Sequence, residues 1–332
     1  MTQNLICKAK NKVFPFAHAL GIDIGGHGIK AVILSPTQKV LATAQRHLES
    51  PAERSLAQVE EHLRSIVEEL TAAPGISALA TPVGISIPGL LRPSDGFLQT
   101  SPNFPGWSNL NIAEHLGLVL ERPVYIENDA NCALLGEVHA GAAYGCQDVI
   151  LLTLGTGVGT AFMINGRLLR GGSATGAEGG HIIFYKNGHL CGCGQKGCLE
   201  TAISGPALSR HAEDLARKNN VDWPSPAAKE VFGMAQQATG PKSLVARRAI
   251  AEWSKDLASG IAMFLHLFGS DRVVLCGGLS LALPQYRTNL IKALKRRTLS
   301  GCQSPELTVV GGNLGTLSGA VGAATLVQKG EF

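Results

Sequence analysis

Nowhere in these 332 residues does an apolar run approach the roughly 18 residues of a membrane-spanning helix, although 45% of the chain is hydrophobic. Charge is equally sparse. Asp, Glu, Lys and Arg make up 16% of the residues and leave a formal net charge of +4, with no dense Lys/Arg run. That balance argues against a nucleic-acid partner, which calls for a concentrated basic face. The opening residues, MTQNLICKAKNKVFPFAH, are weakly basic and lack the apolar core of a signal peptide. Eight cysteines are too few and too clustered for a disulfide scaffold. These shortages together predict a folded cytoplasmic chain with reduced thiols and no membrane partner, long enough for two domains.

Glycine, by contrast, is abundant at 40 residues. Many glycines stand in pairs at the ends of apolar runs, where a backbone turns tightly or approaches a ligand closely. LGIDIGGHGIKAVIL (20–34) reads as strand, glycine turn, strand, and residues 35–48 continue the meander. In residues 52–72, Leu56, Val59, Leu63, Ile66, Val67 and Leu70 recur at three- and four-residue steps, which predicts a helix with one apolar face. PVGISIPGLL (82–91) is a further strand, and PVYIEND (123–129) a strand that runs into a helix. The opening arrangement then returns in VILLTLGTGVGTAFMINGRLL (149–169), with Gly155 in the place of Gly25. A long helix over 247–269, a buried strand in DRVVLCGGLS and a small-residue helix at 315–328 complete an α/β chain built from two related halves.

A glycine turn between strands exposes N–H groups that cradle phosphate oxygens. DIGGHGIK and LGTGVGT are therefore candidate phosphate turns, Asp23 a candidate ligand of Mg²⁺ directly or through water, and Thr156 an added hydroxyl. Each is equally well an ordinary tight turn. The sequence IENDANC places Asp129 where a strand meets a helix, either as a helix cap or as a general base with Asn128 beside it. Cys191, Cys193 and Cys198 supply three thiolates in eight positions. Zn²⁺ takes four tetrahedral N/S ligands. His181 is the expected fourth ligand, since His189 is too near Cys191 to reach the same ion without crowding the loop. A filled set of three Cys and one His leaves no place for water, so the zinc is expected to be structural. The second ring nitrogen of His181 then faces a sugar hydroxyl, with Glu178 and Glu200 drawn to the same place.

The motifs GIDIGG, ISIPG, SPNFPGW, ENDANCALLGE, LGTGVG, GAEGGH and CGCGQKGCLE, in this order from about Leu20 to the C-terminus, resemble the ROK family of sugar kinases and repressors, and its glucokinases most of all. The resemblance implies a duplicated actin-like ATPase (ribonuclease H-like) fold of two α/β domains with a central cleft. Its parts are a tail at 1–17, an N-terminal domain at 18–127, a C-terminal domain with the zinc loop at 128–312, and a helix at 313–332 packing back on the first domain. It implies sugar contacts at Gly89, Asn103, Asn128, Glu178, His181 and Glu200, and a catalytic base at Asp129, which also touches the sugar. Phosphate and nucleotide contacts fall at Asp23, Gly25, Gly26, Lys30, Gly155, Thr156, Gly157, Gly277 and Gly278. The zinc set is His181, Cys191, Cys193 and Cys198.

The activity so implied is phosphorylation of the 6-hydroxyl of a hexose, glucose foremost, by ATP with Mg²⁺, in a homodimer or homotetramer. N-acetylmannosamine, N-acetylglucosamine and fructose kinases share most of these motifs. The family's repressors carry a DNA-binding module ahead of the first turn, and 22 residues before Asp23 are too few for one. Three places depart from the family pattern. GGHGIK replaces GGTK, as in polyphosphate-using glucokinases, which lack the cysteine motif, so ATP remains the expected donor. Thr160 and Ala161 replace glycines after the second turn, predicting a reshaped phosphate pocket. Gly179 in GAEGGH is smaller than usual, predicting a sugar pocket with room for a different substituent.

Overall fold

The computed structural model describes residues 18–48, 50–72, 82–104, 106–302 and 307–330. The expected N-terminal tail, residues 1–17, lies outside them. The described chain divides into two compact units. The first runs to Gly141 and adds Arg170–Thr175 and the stretch from Thr316 onward; the second holds Ala142–Leu169 and Gly176–Gly315. Among the described residues no helix is long and apolar enough to cross a membrane.

The first unit begins with an antiparallel meander of β1 (Ala19–Gly25), β2 (Gly28–Leu34) and β3 (Val40–His47). Helix α1 (Leu56–Thr71) follows, started by Ser55, whose hydroxyl accepts from the Gln58 N–H. Its Val59, Leu63, Ile66, Val67 and Leu70 are buried, the face that the apolar spacing predicts. Next come β4 (Val83–Ile87), a small sheet of β5 (Leu90–Arg92), β6 (Phe97–Thr100) and β7 (Ser108–Asn111), helix α2 (Ile112–Leu120), strand β8 (Val124–Asn128) and helix α3 (Asp129–Ala140). The main sheet runs β3-β2-β1-β4-β8, with β4 and β8 parallel to β1.

The second unit repeats that order. A hairpin of β9 (Val149–Leu154) and β10 (Val158–Ile164) is extended by β11 (Arg167–Leu168). Helices α4 (Glu200–Ile203), α5 (Gly205–Lys218), α6 (Ala228–Gln236) and α7 (Pro241–Phe268) lead to β12 (Arg272–Cys276), α8 (Leu283–Arg297) and β13 (Thr308–Gly311). The sheet reads β11-β10-β9-β12-β13, again a meander followed by two parallel strands. Its core includes Phe232, Trp253 and Tyr286, with the last two rings edge-to-face at 5.1 Å.

The closing helix α9 (Ser318–Lys329) belongs to the first unit. It reads SGAVGAATLVQK because it lies against β1, β4 and α3 with little space to spare. A Cβ at Gly84 of β4 would stand 1.8 Å from the Ala323 carbonyl oxygen, and one at Gly322 would stand 1.7 Å from that of Cys132. Any side chain at either place overpacks the backbone contact. Helix α3, buried almost all round, stays with the same unit, so the contact division falls after Gly141, one helix beyond the boundary read from the sequence.

Candidate functional site

In the first unit, Gly25 and Gly28 close the β1–β2 hairpin as paired residues, with Gly26 and His27 at its tip. His27 is exposed. The added glycine of GGHGIK has a structural cause: a Cβ on Gly28 would come within 2.5 Å of the Arg46 carbonyl oxygen on β3. Two residues before the turn, Asp23 pairs across the hairpin with Lys30 and across the parallel pair with Ser86. The Ser86 hydroxyl donates to Asp23 Oδ1 at 2.6 Å. Burial pushes the Asp23 carboxyl above its ordinary pKa, against the lowering effects of that hydrogen bond and of the Lys30 charge. The start of α9 comes up to the same carboxyl, for a Cβ on Gly319 would lie 2.6 Å from Asp23 Cγ. Asp23 is thus held between a hydroxyl, a cation and a helix N-terminus.

The Asn103 side chain rests against Gly26, 3.3 Å from where a Cβ would sit. Of the two roles open to Asp129, helix cap or general base, the first is taken by Asn128. It is Asn128 that caps α3, its Oδ1 accepting from the N–H groups of Ala130 and Asn131 at 2.9 and 3.3 Å. Its Nδ2 donates to the Gly89 carbonyl oxygen at 3.3 Å. Asp129 is the first helical residue and is exposed, with Oδ1 accepting from the Ala130 N–H at 2.9 Å. The cap therefore belongs to its neighbour. Directly before Asn128, the buried Glu127 accepts from the Asn128 N–H (2.8 Å), Asn131 Nδ2 (3.0 Å) and Arg170 Nε (2.6 Å).

In the second unit, Gly155, Thr156 and Gly157 form the turn between β9 and β10. The Gly155 N–H donates to the Gly157 carbonyl at 3.0 Å, and the Gly155 carbonyl accepts from the Gly205 N–H at the start of α5. Gly277, at the end of β12, packs on the Leu154 backbone just before the turn, and Gly278 opens a short 3-10 turn beyond it. Glu200 connects this region to the cysteines. Its Oε2 accepts from the Val158 N–H at 2.9 Å, while Oε1 lies 3.1 Å from Cys191 Sγ. Glu178, exposed on its loop, has its carboxyl pKa raised by local desolvation; the His181 charge opposes the shift and the Glu200 carboxylate adds to it. The structure thus brings Glu178, His181 and Glu200 into one electrostatic neighbourhood.

The departures at Thr160 and Gly179 prove to be linked, and the second does not act as the sequence predicts. The buried Thr160 hydroxyl donates to the Ala177 carbonyl oxygen at 2.6 Å and accepts from the Gly179 N–H at 2.8 Å, so it pins the loop that carries Glu178. A Cβ on Gly179 would meet Phe264 at 2.7 Å and Thr160 Oγ1 at 2.9 Å. The missing side chain is answered by core atoms, and no room for a substrate substituent results from it.

His181, Cys191, Cys193 and Cys198 place one ligand atom each within 4.8 Å of one another. Cys193 Sγ and Cys198 Sγ are 3.6 Å apart, and Cys191 Sγ and His181 Nδ1 are 3.7 Å apart. With Zn–S near 2.3 Å and Zn–N near 2.0–2.1 Å, a tetrahedral ion requires edges of about 3.5–3.8 Å. A disulfide requires about 2.05 Å, and all seven of the cysteines described are free. Three thiols and an imidazole are the chemistry that zinc takes, and two edges of the set, at 3.6 and 3.7 Å, have the tetrahedral length. His189 stands outside it. The loop is anchored to α7 by the Tyr185 hydroxyl, which donates to Asp256 at 2.7 Å; burial and that bond push the phenol pKa up to about 12.

Ser86 and Arg170 are site neighbours that motif reading does not single out; Glu127 is legible only as the residue that the strand at 123–129 delivers to the head of a helix beside Asn128 and Asp129. The signals of Ser86 and Arg170 are faint: one hydroxyl inside the apolar strand VGISI, and one arginine that follows Leu168 and Leu169 just beyond β11.

The ROK family model matches residues 19–330. A glucokinase from Thermotoga maritima is 31% identical over 276 residues, covering 81% of this chain and 84% of its own. The N-acetylgalactosamine kinase AgaK from Shewanella sp. strain ANA-3 is 30% identical over 92% of this chain and 95% of its own. Among solved structures, a ROK family glucokinase from Streptomyces griseus in complex with glucose and AMPPNP aligns with a TM-score of 0.77 at 29% identity, over 93% of this chain and 98% of its own.

Proposed function

This chain belongs to the ROK family, and on that premise we propose that it transfers the γ-phosphoryl group of ATP to the 6-hydroxyl of glucose. The coarser statement, a hexose kinase with the actin-like ATPase fold, follows from membership and from its glucokinase relatives. For the finer one, the observation that carries most weight is Asp129: an exposed carboxylate at the first position of α3, whose cap is supplied by Asn128.

In this reading Asp129 accepts the hydroxyl proton as the sugar oxygen attacks the γ-phosphorus in line. Phosphoryl transfer is loose, so positioning and charge neutralisation outweigh the base itself. The turns at Gly25–Gly26 and Gly155–Gly157 offer N–H groups to the phosphates, with Lys30 and Thr156 beside them. Asp23 holds the Mg²⁺ that accompanies ATP, and Gly277 and Gly278 lie toward the adenosine. Asn103, Asn128, Glu178, His181 and Glu200 bind the remaining hydroxyls, with the Gly89 backbone. Zinc on His181, Cys191, Cys193 and Cys198 fixes the loop geometry when bound. The chain's residues do the rest: Glu200 ties that loop to Val158 at the second turn, and Thr160 holds the loop of Glu178.

A panel of glucose, fructose, mannose and the N-acetylhexosamines, each with ATP–Mg²⁺ or polyphosphate, tests the reading. The highest kcat/KM is expected for glucose with ATP. A clear preference for an N-acetylhexosamine would move the assignment toward the amino-sugar kinases, as the identity to AgaK allows, and no turnover of any sugar would overturn it.

A further inference from the structure

Glu127 is a charged side chain with 1% exposure that no step above uses. Its two oxygens are divided between two tasks. Oε1 accepts from the Asn128 N–H and from Asn131 Nδ2, and so holds both ends of the first turn of α3. Oε2 accepts from Arg170 Nε at 2.6 Å. Arg170 opens the six-residue segment Arg170–Thr175, which packs with the first unit although both its flanks belong to the second. It comes from a different part of the chain, 43 residues beyond Glu127, and is itself three-quarters covered, at 23% exposure. The surface pair Arg92–Asp95 offers a contrast: both partners are 49% exposed, and such pairs contribute little.

Resting on the kinase reading, we infer that Arg170 is a positioning residue for phosphoryl transfer, bracing Glu127 so that Glu127 in turn fixes Asn128 and the carboxylate of Asp129. A buried carboxylate stripped of its cation keeps only neutral N–H donors and must turn away or repack. Either response releases the Asn128 N–H, and with it the residue that both caps α3 and precedes the base. A displacement of about 1 Å at a reacting group is enough to cost about 10²-fold in rate. Phosphate contacts carried by the two glycine turns do not pass through this chain of bonds.

The test compares Arg170→Met, Arg170→Lys and Glu127→Gln with the surface control Arg92→Met, measuring steady-state kinetics and amide hydrogen exchange in α3. Arg170→Met is expected to lower kcat roughly 10- to 100-fold with the KM for ATP moved less than about threefold, and Arg170→Lys to recover much of the loss. Exchange at residues 128–131 should quicken in Arg170→Met and stay unchanged in the control. Combining Arg170→Met with Glu127→Gln should be no worse than the poorer single variant, since both break one linkage. Wild-type kcat in Arg170→Met, or a loss equally large in KM for ATP, would overturn the inference. If Arg170→Met does not fold, Glu127→Gln, which removes the charge that Arg170 pairs with, decides in its place: wild-type kcat with undisturbed exchange at residues 128–131 in that variant would overturn the inference as well. Failure of the kinase reading shows separately, as a wild-type chain with no turnover; the exchange measurement would still decide whether Arg170 orders α3.

Discussion

The two glycine turns are built on one plan and furnished differently. Each lies between the first two strands of a meander, in sheets of identical order. Two residues before the first turn stands Asp23; two residues before the second stands Thr153. Thr153 is neutral, and its hydroxyl accepts from the Gly159 N–H at 3.0 Å. The second turn receives its acid from elsewhere, when Glu200 of α4 accepts from the Val158 N–H. A hydroxyl at this place satisfies the fold. Burial raises the pKa of the Asp23 carboxyl, and we propose that this carboxylate serves chemistry and not stability.

That contrast is open to attack by substitution. Asp23→Asn should reduce kcat by at least about 10²-fold, the scale of losing one preorganised electrostatic contact, without lowering the melting temperature at neutral pH. The sign follows from the pKa. A carboxyl raised in the folded state costs stability wherever it is ionised, and that cost fades as pH falls through the folded pKa toward the ordinary value of 3.8. Thermal melts across pH 3–8 should show the variant at least as stable as wild type at neutral pH, with the gap closing in acid. A variant that melts earlier at pH 7 would make Asp23 structural after all.

Smaller effects are expected from the second turn's supports. Cys198→Ser removes a buried donor from the set of four; bound zinc should fall from one per chain toward none by metal analysis, with activity down about 10-fold or more. Full zinc content in that variant would place the ion elsewhere. Thr153→Val removes one hydrogen bond to backbone and should cost about 1 kcal/mol in urea unfolding, with kcat essentially retained. A loss like that of Asp23→Asn would mean the two positions are functional equivalents.

Much of this was legible in the sequence because it is local. The hairpins announce themselves as apolar runs around glycines, α1 by its three- and four-residue spacing, and the candidate metal cluster by cysteines too close together to be chance. The choice of His181 over His189 follows from loop length alone, and the four donor atoms do converge. What escaped is what depends on neighbours distant in sequence. Ser86 meets Asp23 across 63 residues and Arg170 meets Glu127 across 43; no local pattern encodes either pairing. The direction of the absent Gly179 side chain, toward Phe264, depends on where α7 lies. Likewise the small three-stranded sheet of β5, β6 and β7 consists of strands of three or four residues, too short to display alternation.

The most direct measurement is the turnover number of Asp129→Asn with glucose and ATP–Mg²⁺ at saturation, taken beside the wild-type chain. General-base assistance is worth about 10²–10⁴-fold. A fall of that size, with glucose still bound and α3 still capped by Asn128, is the expected result, whereas undiminished turnover would remove Asp129 from the chemistry and contradict the mechanism.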